Sequence, residues 1–300
     1  MAAKPELVGL YWTVSGPVVV HFGREWSYFS WADRCAEARK VGFAGLGIWH
    51  ADLEHVLETE TLIDMKRALD DNGLVRLELE FLMDWFLDPG DDRRQASDRT
   101  RDLLLEAAAT LGAHHVKVGN IPGTSASLSQ LTERFAELCD IAAERTDAKI
   151  VYELMPPDTN VHTLDAVLEV VGGAARSNGG IAVDTWHMSK LGIAPDDLRR
   201  IPLEYLSWIE LSDGQFADMD DPIDEVINHR NLPGEGEFDI KGYIRVCEDH
   251  GYPGPWGVET LSEELRNNPI DVIFRRAFDT TAAQFSPADP GASSRIATNP

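Results

Sequence analysis

The sequence is poor in cysteine and in positive charge. Its three cysteines, Cys35, Cys139 and Cys247, lie far apart and form no C-x-x-C pair. They indicate neither a disulfide framework nor a thiolate zinc site, and they favour a reducing cytoplasm. Lysine and arginine total 27 against 51 aspartates and glutamates, for a net charge of −24. That charge repels phosphate backbones, so we expect a small-molecule partner and no nucleic acid.

Long apolar runs and nucleotide-binding glycine motifs are also missing. No stretch reaches the roughly 18 apolar residues of a membrane span, and residues 1–6 lead into a strand pattern without the apolar core of a signal peptide. Neither G-x-G-x-x-G nor G-x-x-x-x-G-K-[ST] follows a predicted strand. This disfavours a doubly wound open sheet, which is the alternative α/β architecture. We therefore predict a cytoplasmic protein without membrane contact.

What is present is an alternation of strand-length apolar runs with segments of helical period. Eight strands are predicted: Leu7–Thr13, Gly45–His50, Val75–Leu82, His115–Asn120, and the runs that contain Glu153, Asp184, Glu210 and Glu259. Helices are expected from Ser30, through Leu62 to Gly73, from Leu103 to Leu111, from Leu128 to about Arg145, and from about Glu263 to Phe285. This order predicts an α/β protein, a (β/α)8 TIM barrel that forms one domain over residues 1–285. The polar, proline-rich segment 286–300 is expected to be a flexible tail.

Four carboxylates lie at or near the ends of the last four predicted strands: Glu153, Asp184, Glu210 and Glu259. A lone charge inside an apolar run is costly to bury, whereas one divalent cation would satisfy all four. Barrel active sites lie at the carboxyl ends of the strands, which is where these acids fall. The alternative is that they are unrelated and that each caps the helix that follows it.

Several other residues are candidates for substrate contact. His187, three residues after Asp184, either faces the same cavity or is an ordinary loop histidine. Lys117 points either outward to solvent or inward, where it would be a cation close to the metal. His50 and Glu80 lie near strand ends and either bind hydroxyl groups or cap turns.

Four tryptophans lie at or just after predicted strand ends: Trp12, Trp49, Trp85 and Trp186. Each one either lines a cavity or packs beneath the loops. Together they indicate a pocket that is bulky and apolar on one side.

These features resemble the xylose-isomerase-like barrel superfamily of sugar isomerases, epimerases and sugar-acid dehydratases. The resemblance covers residues 7–285 and rests on Glu153, Asp184-x-x-His187, Glu259, the R-x-x-P-G-x-G-x-x-D pattern at 230–239, and Gly251-Tyr-Pro-Gly-Pro255. These motifs are specific for the superfamily and much less so for the reaction. DNA-repair endonucleases share the fold, but the charge of −24 disfavours that activity.

The resemblance implies a divalent-metal-dependent isomerase or epimerase that acts on a sugar, keto-sugar or cyclitol through an enediolate. A lyase of the same superfamily, which would eliminate from a keto-shikimate, an inosose or a 3-keto-glycoside, is the alternative. A non-catalytic binding or partner subunit is the alternative of another class. A homo-oligomer is plausible for such barrels.

The resemblance also implies residue roles. Glu153 and Glu259 would be metal ligands and acid–base groups, with His187 as the next catalytic candidate, and Arg230 would contact substrate together with Trp12, Trp186, Lys117, His50 and Glu80. The superfamily usually places His or Gln where this chain has Glu210. If Glu210 is a ligand, an all-oxygen site favours Mn²⁺ or Mg²⁺, with Co²⁺ or Zn²⁺ possible; otherwise Glu210 is protonated or turned aside. Asp213 either supports a ligand or caps a helix.

Overall fold

The computed structural model describes residues 5–121 and 124–285, so the predicted tail at 286–300 lies outside the described residues. Within the described ranges, eight parallel strands close into a barrel in chain order. They are β1 Leu7–Gly9, β2 Gly45–Trp49, β3 Arg76–Leu82, β4 His115–Val118, β5 Lys149–Glu153, β6 Gly179–Asp184, β7 Leu206–Leu211 and β8 Trp256–Val258. β1 pairs with both β2 and β8, which closes the barrel. The predicted (β/α)8 architecture is confirmed.

The helices surround the strands, and most begin at a side-chain cap. They are α1 Tyr11–Val14, α2 Trp31–Val41, α3 His50–Val56, α4 Leu62–Asp71, α5 Asp92–Leu111, α6 Leu128–Ala143, α7 Leu164–Ala174, α8 Thr185–Lys190, α9 Pro222–Asn228, α10 Ile240–His250, α11 Glu263–Arg266 and α12 Ile270–Gln284, with a 3₁₀ helix at Pro195–Arg200. Ser30, Ser127 and Thr163 each accept a hydrogen bond from the backbone N–H three residues later. Such caps satisfy N–H groups that have no partner within the helix.

Three predicted boundaries are wrong. The first strand ends at Gly9, and the chain turns into α1 because Thr13 bonds to the last strand: its hydroxyl donates to the Val258 carbonyl (2.8 Å) and accepts from the Thr260 N–H (2.7 Å). The helix after β3 begins at Asp92, where Asp91 caps it, well before Leu103. The last predicted helix is two helices, because Pro269 stands between them and disfavours helical backbone in the residue before it.

The apolar residues form three separate clusters at different depths. The largest lies between the strands and the outer helices. A second fills the barrel interior and consists of Val8, Leu10, Val151, Ala182 and Trp208. The third lies at the barrel mouth and includes Trp12, Trp49, Phe81 and Met155. The described helices include none with the length and apolar character that a membrane crossing requires.

Candidate active site

A cavity of about 580 Å³ opens at the carboxyl ends of the strands. Nine of the predicted site residues line it: Trp12, Trp49, Glu80, Lys117, Glu153, Trp186, His187, Arg230 and Glu259. Four others are described but are not among the lining residues: His50, Trp85, Asp184 and Glu210. Trp85 donates from Nε1 to the Gly119 carbonyl (3.2 Å) and packs against Phe135 and Tyr152, so it belongs to the core beneath the loops.

Four buried side chains converge on the cavity floor. Glu153, Asp184, His187 and Glu259 each present one ligand atom, and these atoms lie within 4.8 Å of one another. Nε2 of His187 is 3.2 Å from Glu153 Oε1 and 3.4 Å from Asp184 Oδ2. We refer to these residues as the four-donor group.

The strand ends explain how the group assembles. Glu153 and Asp184 are the last residues of β5 and β6, and Glu259 follows β8 directly. Asp184 also caps α8, because its Oδ1 accepts from the Trp186 N–H (2.7 Å) and leaves Oδ2 facing the group. The short helix then brings His187 back beside Asp184.

The protonation states suit a cation. Burial lowers the pKa of His187 to about 4, although Asp184 acts in the opposite direction, so its imidazole is neutral and can donate a lone pair. Burial raises the pKa of Glu153 to about 7, opposed by the charge of Lys117 and reinforced by that of Glu259. Three crowded carboxylates and a neutral imidazole are a donor set that fits Mn²⁺, Mg²⁺, Co²⁺ or Zn²⁺.

Glu210 lies outside the four-donor group, contrary to the sequence expectation, and His187 is the fourth donor instead. Oε1 of Glu210 accepts from Lys117 Nζ (2.8 Å) and from Trp208 Nε1 (3.0 Å). Burial, together with the charge of Glu259, raises the pKa of Glu210 well above its usual value. Oε1 of Glu210 is therefore engaged by two donors, Lys117 and Trp208, and lies outside the set of converging ligand atoms.

Lys117 points into the barrel, which settles the orientation that the sequence left open. It is 1% exposed. Its Nζ lies 2.8 Å from Glu210, 2.9 Å from Glu259, 3.1 Å from Glu80, 3.2 Å from Glu78 and 3.7 Å from Glu153. Burial alone would lower the pKa of Lys117, but the charges of Glu153, Glu210, Glu259 and Glu78 outweigh it and hold that pKa well above the usual value. Lys117 thus connects the four-donor group to three further buried acids, Glu78, Glu80 and Glu210.

Negative charge is in excess around this site. Six buried carboxylates face two fixed cations, Lys117 and Arg230; the six are Glu78, Glu80, Glu153, Asp184, Glu210 and Glu259. His115 and His187 add no charge, because burial lowers the pKa of each. Uncompensated buried charge is strongly unfavourable, so protons or a bound cation must offset the excess.

Arg230 belongs to the site and completes one side of it. Its Nη1 donates to Asp184 Oδ2 (2.7 Å) and lies 3.4 Å from Glu259 Oε2. Its guanidinium stacks over the Trp186 ring at 4.8 Å from the centroid.

The loop that carries Arg230 is anchored by Asp213. This carboxylate caps no described helix; it accepts from four backbone N–H groups, those of Gly214, Gly234, Gly236 and Phe238, at 2.8–3.1 Å. The backbones of Asp213 and Asn231 also bond to each other in both directions. Asp213 therefore fixes the backbone of the loop that carries Arg230.

We expect Asp213→Asn to lower the free energy of unfolding by about 1–3 kcal/mol, because the amide nitrogen cannot accept the bonds that one carboxylate oxygen accepts now. Urea denaturation measures the change. Asp88→Asn is the matched control, since Asp88 is 85% exposed. Equal stability of the two variants would contradict the anchoring role.

A family profile described as xylose isomerase-like TIM barrel matches residues 35–280. The chain belongs to this family. This xylose isomerase-like barrel is 28% identical over 239 residues to the 3-dehydroshikimate dehydratase of Pseudomonas aeruginosa, which covers 76% of the chain and 36% of that relative. It therefore spans about a third of that dehydratase's length.

Two further proteins are similar to this chain over most of their own length. The xylose isomerase-like barrel is 23% identical over 236 residues to the inosose isomerase of Halalkalibacterium halodurans, with 76% of the chain and 82% of the relative covered. It also superposes on the solved structure of the IOLI protein with a bound zinc atom, with a TM-score of 0.77, 19% identity and coverage of 93% and 97%. The structural likeness, at this identity, shows the fold. The named relatives are enzymes, a dehydratase and an isomerase.

Sequence reasoning missed two buried residues of this ionic network, Glu78 and His115. Glu78 and His115 are fully buried in the barrel, where His115 Nε2 lies 3.5 Å from Glu78 Oε1. A signal for both was available, because residues two apart on a strand share a face. Glu78 and Glu80 are so spaced, as are His115 and Lys117.

Proposed function

We propose that this chain is a divalent-metal-dependent enzyme that isomerises or epimerises a sugar, keto-sugar or cyclitol by moving a proton on a carbon next to a carbonyl. The observation that carries the proposal is the four-donor group at the floor of the cavity. The names of the relatives support it, since inosose isomerase acts on a cyclitol derivative. A cytoplasmic location and a homo-oligomeric state stay predictions of the sequence.

Glu153, Asp184, His187 and Glu259 would hold the metal. The imidazole in place of a fourth carboxylate widens the expected preference from Mn²⁺ and Mg²⁺ toward Co²⁺ and Zn²⁺. A bound divalent ion would supply Lewis-acid stabilisation of the negative charge that develops on the substrate oxygen as the proton leaves.

The environments of Glu153 and Glu259 suit them to opposite roles. Burial acts to raise the pKa of Glu259, but Lys117 and Arg230 outweigh it and hold that pKa below its usual value, so Glu259 is ionised and accepts the substrate proton. Glu153 would bind the metal through one carboxylate oxygen and use the other to return a proton to the resulting enediolate. Arg230, which donates to Asp184, would donate a further hydrogen bond to a substrate oxygen.

A test is proton exchange in deuterated water, followed by NMR. Metal-loaded protein, incubated with a panel of ketohexoses, 3-keto-glucosides and inososes, is expected to replace the hydrogen next to the carbonyl of at least one compound with deuterium. Protein stripped of metal by a chelator is the control and should not exchange. Stoichiometric metal without exchange in any compound would contradict the proposal.

The second candidate is a dehydratase or other lyase that uses the same proton abstraction. The likeness to 3-dehydroshikimate dehydratase favours it. The same incubations separate the two, because elimination yields an unsaturated product that absorbs in the ultraviolet, whereas isomerisation returns a saturated keto-sugar.

A further inference from the structure

The cavity has two chemically different halves. The four-donor group comes from β5, β6 and β8 and the segments that follow them. Across the cavity, Trp12 follows β1, Trp49 ends β2 and Phe81 lies in β3. We call Trp12, Trp49 and Phe81 the aromatic wall.

The aromatic wall is a packed arrangement of rings. Trp12 and Trp49 meet edge to face with centroids 4.9 Å apart, and Trp49 lies nearly parallel to Phe81 at 6.2 Å. Met155, Ile227 and Leu261 belong to the same apolar cluster and line the same cavity, and this cluster is distinct from the two that stabilise the barrel. Aromatic rings pack favourably against one another at such centroid distances, so a ligand ring can pack here in the same way.

Apolar residues also reach the rim of the cavity, on the side of α9. Ile223 lines the mouth and is 64% exposed. The charged residues on that side are already paired, because Lys190 Nζ lies 2.5 Å from Glu225 and 3.2 Å from Asp218. An apolar surface that stays in contact with water is unfavourable in proportion to its area, so this half favours an apolar occupant.

The size of the cavity also favours a ligand larger than a monosaccharide. A volume of about 580 Å³ lies well inside the range of about 300–1,000 Å³ typical of sites for drug-sized ligands. A free monosaccharide or cyclitol at the four-donor group would fill the polar floor and leave the apolar part of the cavity unfilled.

We propose that the substrate is a conjugate, a sugar- or cyclitol-like polyol bearing an aromatic substituent that packs against the aromatic wall. This inference rests on the proposed function, because that function places the polyol at the four-donor group. The substituent is aromatic because the wall presents ring faces and edges at ring-packing distances.

The test measures binding rather than turnover. Phenyl and methyl glycosides of D-glucose, D-galactose and D-xylose are titrated into Mn²⁺-loaded protein by calorimetry. We expect the phenyl glycoside of at least one sugar to bind about tenfold or more tightly than its methyl counterpart, because it buries the additional apolar area.

Two variants and two matched controls locate the effect. Trp12→Leu is expected to reduce the phenyl preference to about threefold or less, and Ile223→Ser is expected to weaken it by about twofold, with little risk to folding at so exposed a position. Trp26→Leu and Ile63→Ser change the same residue types outside the cavity lining, where Ile63 is 60% exposed, and should keep the full preference.

Equal binding of phenyl and methyl glycosides would overturn the proposal, as would binding of none of them, or a preference that survives both Trp12→Leu and Ile223→Ser. The outcome is separable from that of the proposed function. A phenyl preference in a protein that exchanges no substrate proton keeps the aromatic subsite and rejects the enzyme. Proton exchange without a phenyl preference does the reverse.

Discussion

Glu153→Gln is expected to lower the rate of substrate proton exchange by about 10²–10⁴-fold, the usual contribution of a positioned acid–base group. The change removes a negative charge from the four-donor group and replaces one oxygen by an amide nitrogen, which cannot ligate in the same way. Metal content should therefore fall as well. Elemental analysis of the purified variant, followed by Mn²⁺ titration of the metal-free protein, measures this loss separately from the loss of exchange.

Glu58→Gln provides the control for that experiment. Glu58 is 69% exposed and is not among the cavity-lining residues, so the same chemical change there should leave metal content and exchange unaltered. Wild-type protein that contains no metal and takes up none on titration would reject the metal centre. Glu153→Gln protein with full metal content and unchanged exchange would reject the role of Glu153.

Lys117→Met is expected to lower the free energy of unfolding by about 3–5 kcal/mol, the cost of removing one partner from a buried ionic network. The substitution keeps the unbranched apolar part of the side chain but leaves Glu210 and Glu259 without the ammonium that now donates to them at 2.8 and 2.9 Å. Urea denaturation measures the loss. Lys149→Met is the matched control, because Lys149 is a partly buried strand lysine whose ammonium donates to a neutral partner, Ser207 Oγ, at 3.1 Å.

The destabilisation of Lys117→Met should grow with pH. Burial raises the pKa of Glu80 and of Glu210 well above their unfolded values. A carboxyl of raised pKa holds its proton in the folded state, so its stabilising effect is present at low pH and is lost as pH rises toward the folded pKa. Without Lys117, more of these carboxyls depend on protons, so the gap between variant and wild type should widen as pH rises above the usual glutamate pKa of about 4.3.

A second substitution tests the cause. In Lys117→Met/Glu210→Gln, one unpaired acid is neutralised, so the double variant should recover part of the lost stability. A single variant as stable as Lys149→Met, or a double variant less stable than the single one, would contradict the ionic network.

The local sequence pattern was sufficient to predict the barrel and three residues of the four-donor group. Strand and helix periodicity predicted eight βα units, and Glu153, Asp184 and Glu259 fall at strand ends that the fold brings to one edge. Boundaries were less predictable, because the start of α1 depends on Thr13 bonding to β8, more than 240 residues away. Strand-end acids are predictable because both the strand and its end are encoded by neighbouring residues.

The sequence by itself determined the barrel, its order of strands and the set of acids at its carboxyl end. Only the tertiary structure decided which of those acids converge. Glu210 bonds to Lys117, 93 positions earlier in the chain, and lies outside the four-donor group, which His187 completes. The aromatic wall likewise unites rings from β2, from β3 and from the helix that follows β1. The period-2 pattern of a strand indicates which side chains share a face, but which charges and rings from different strands meet inside the barrel is not encoded by neighbours along the chain.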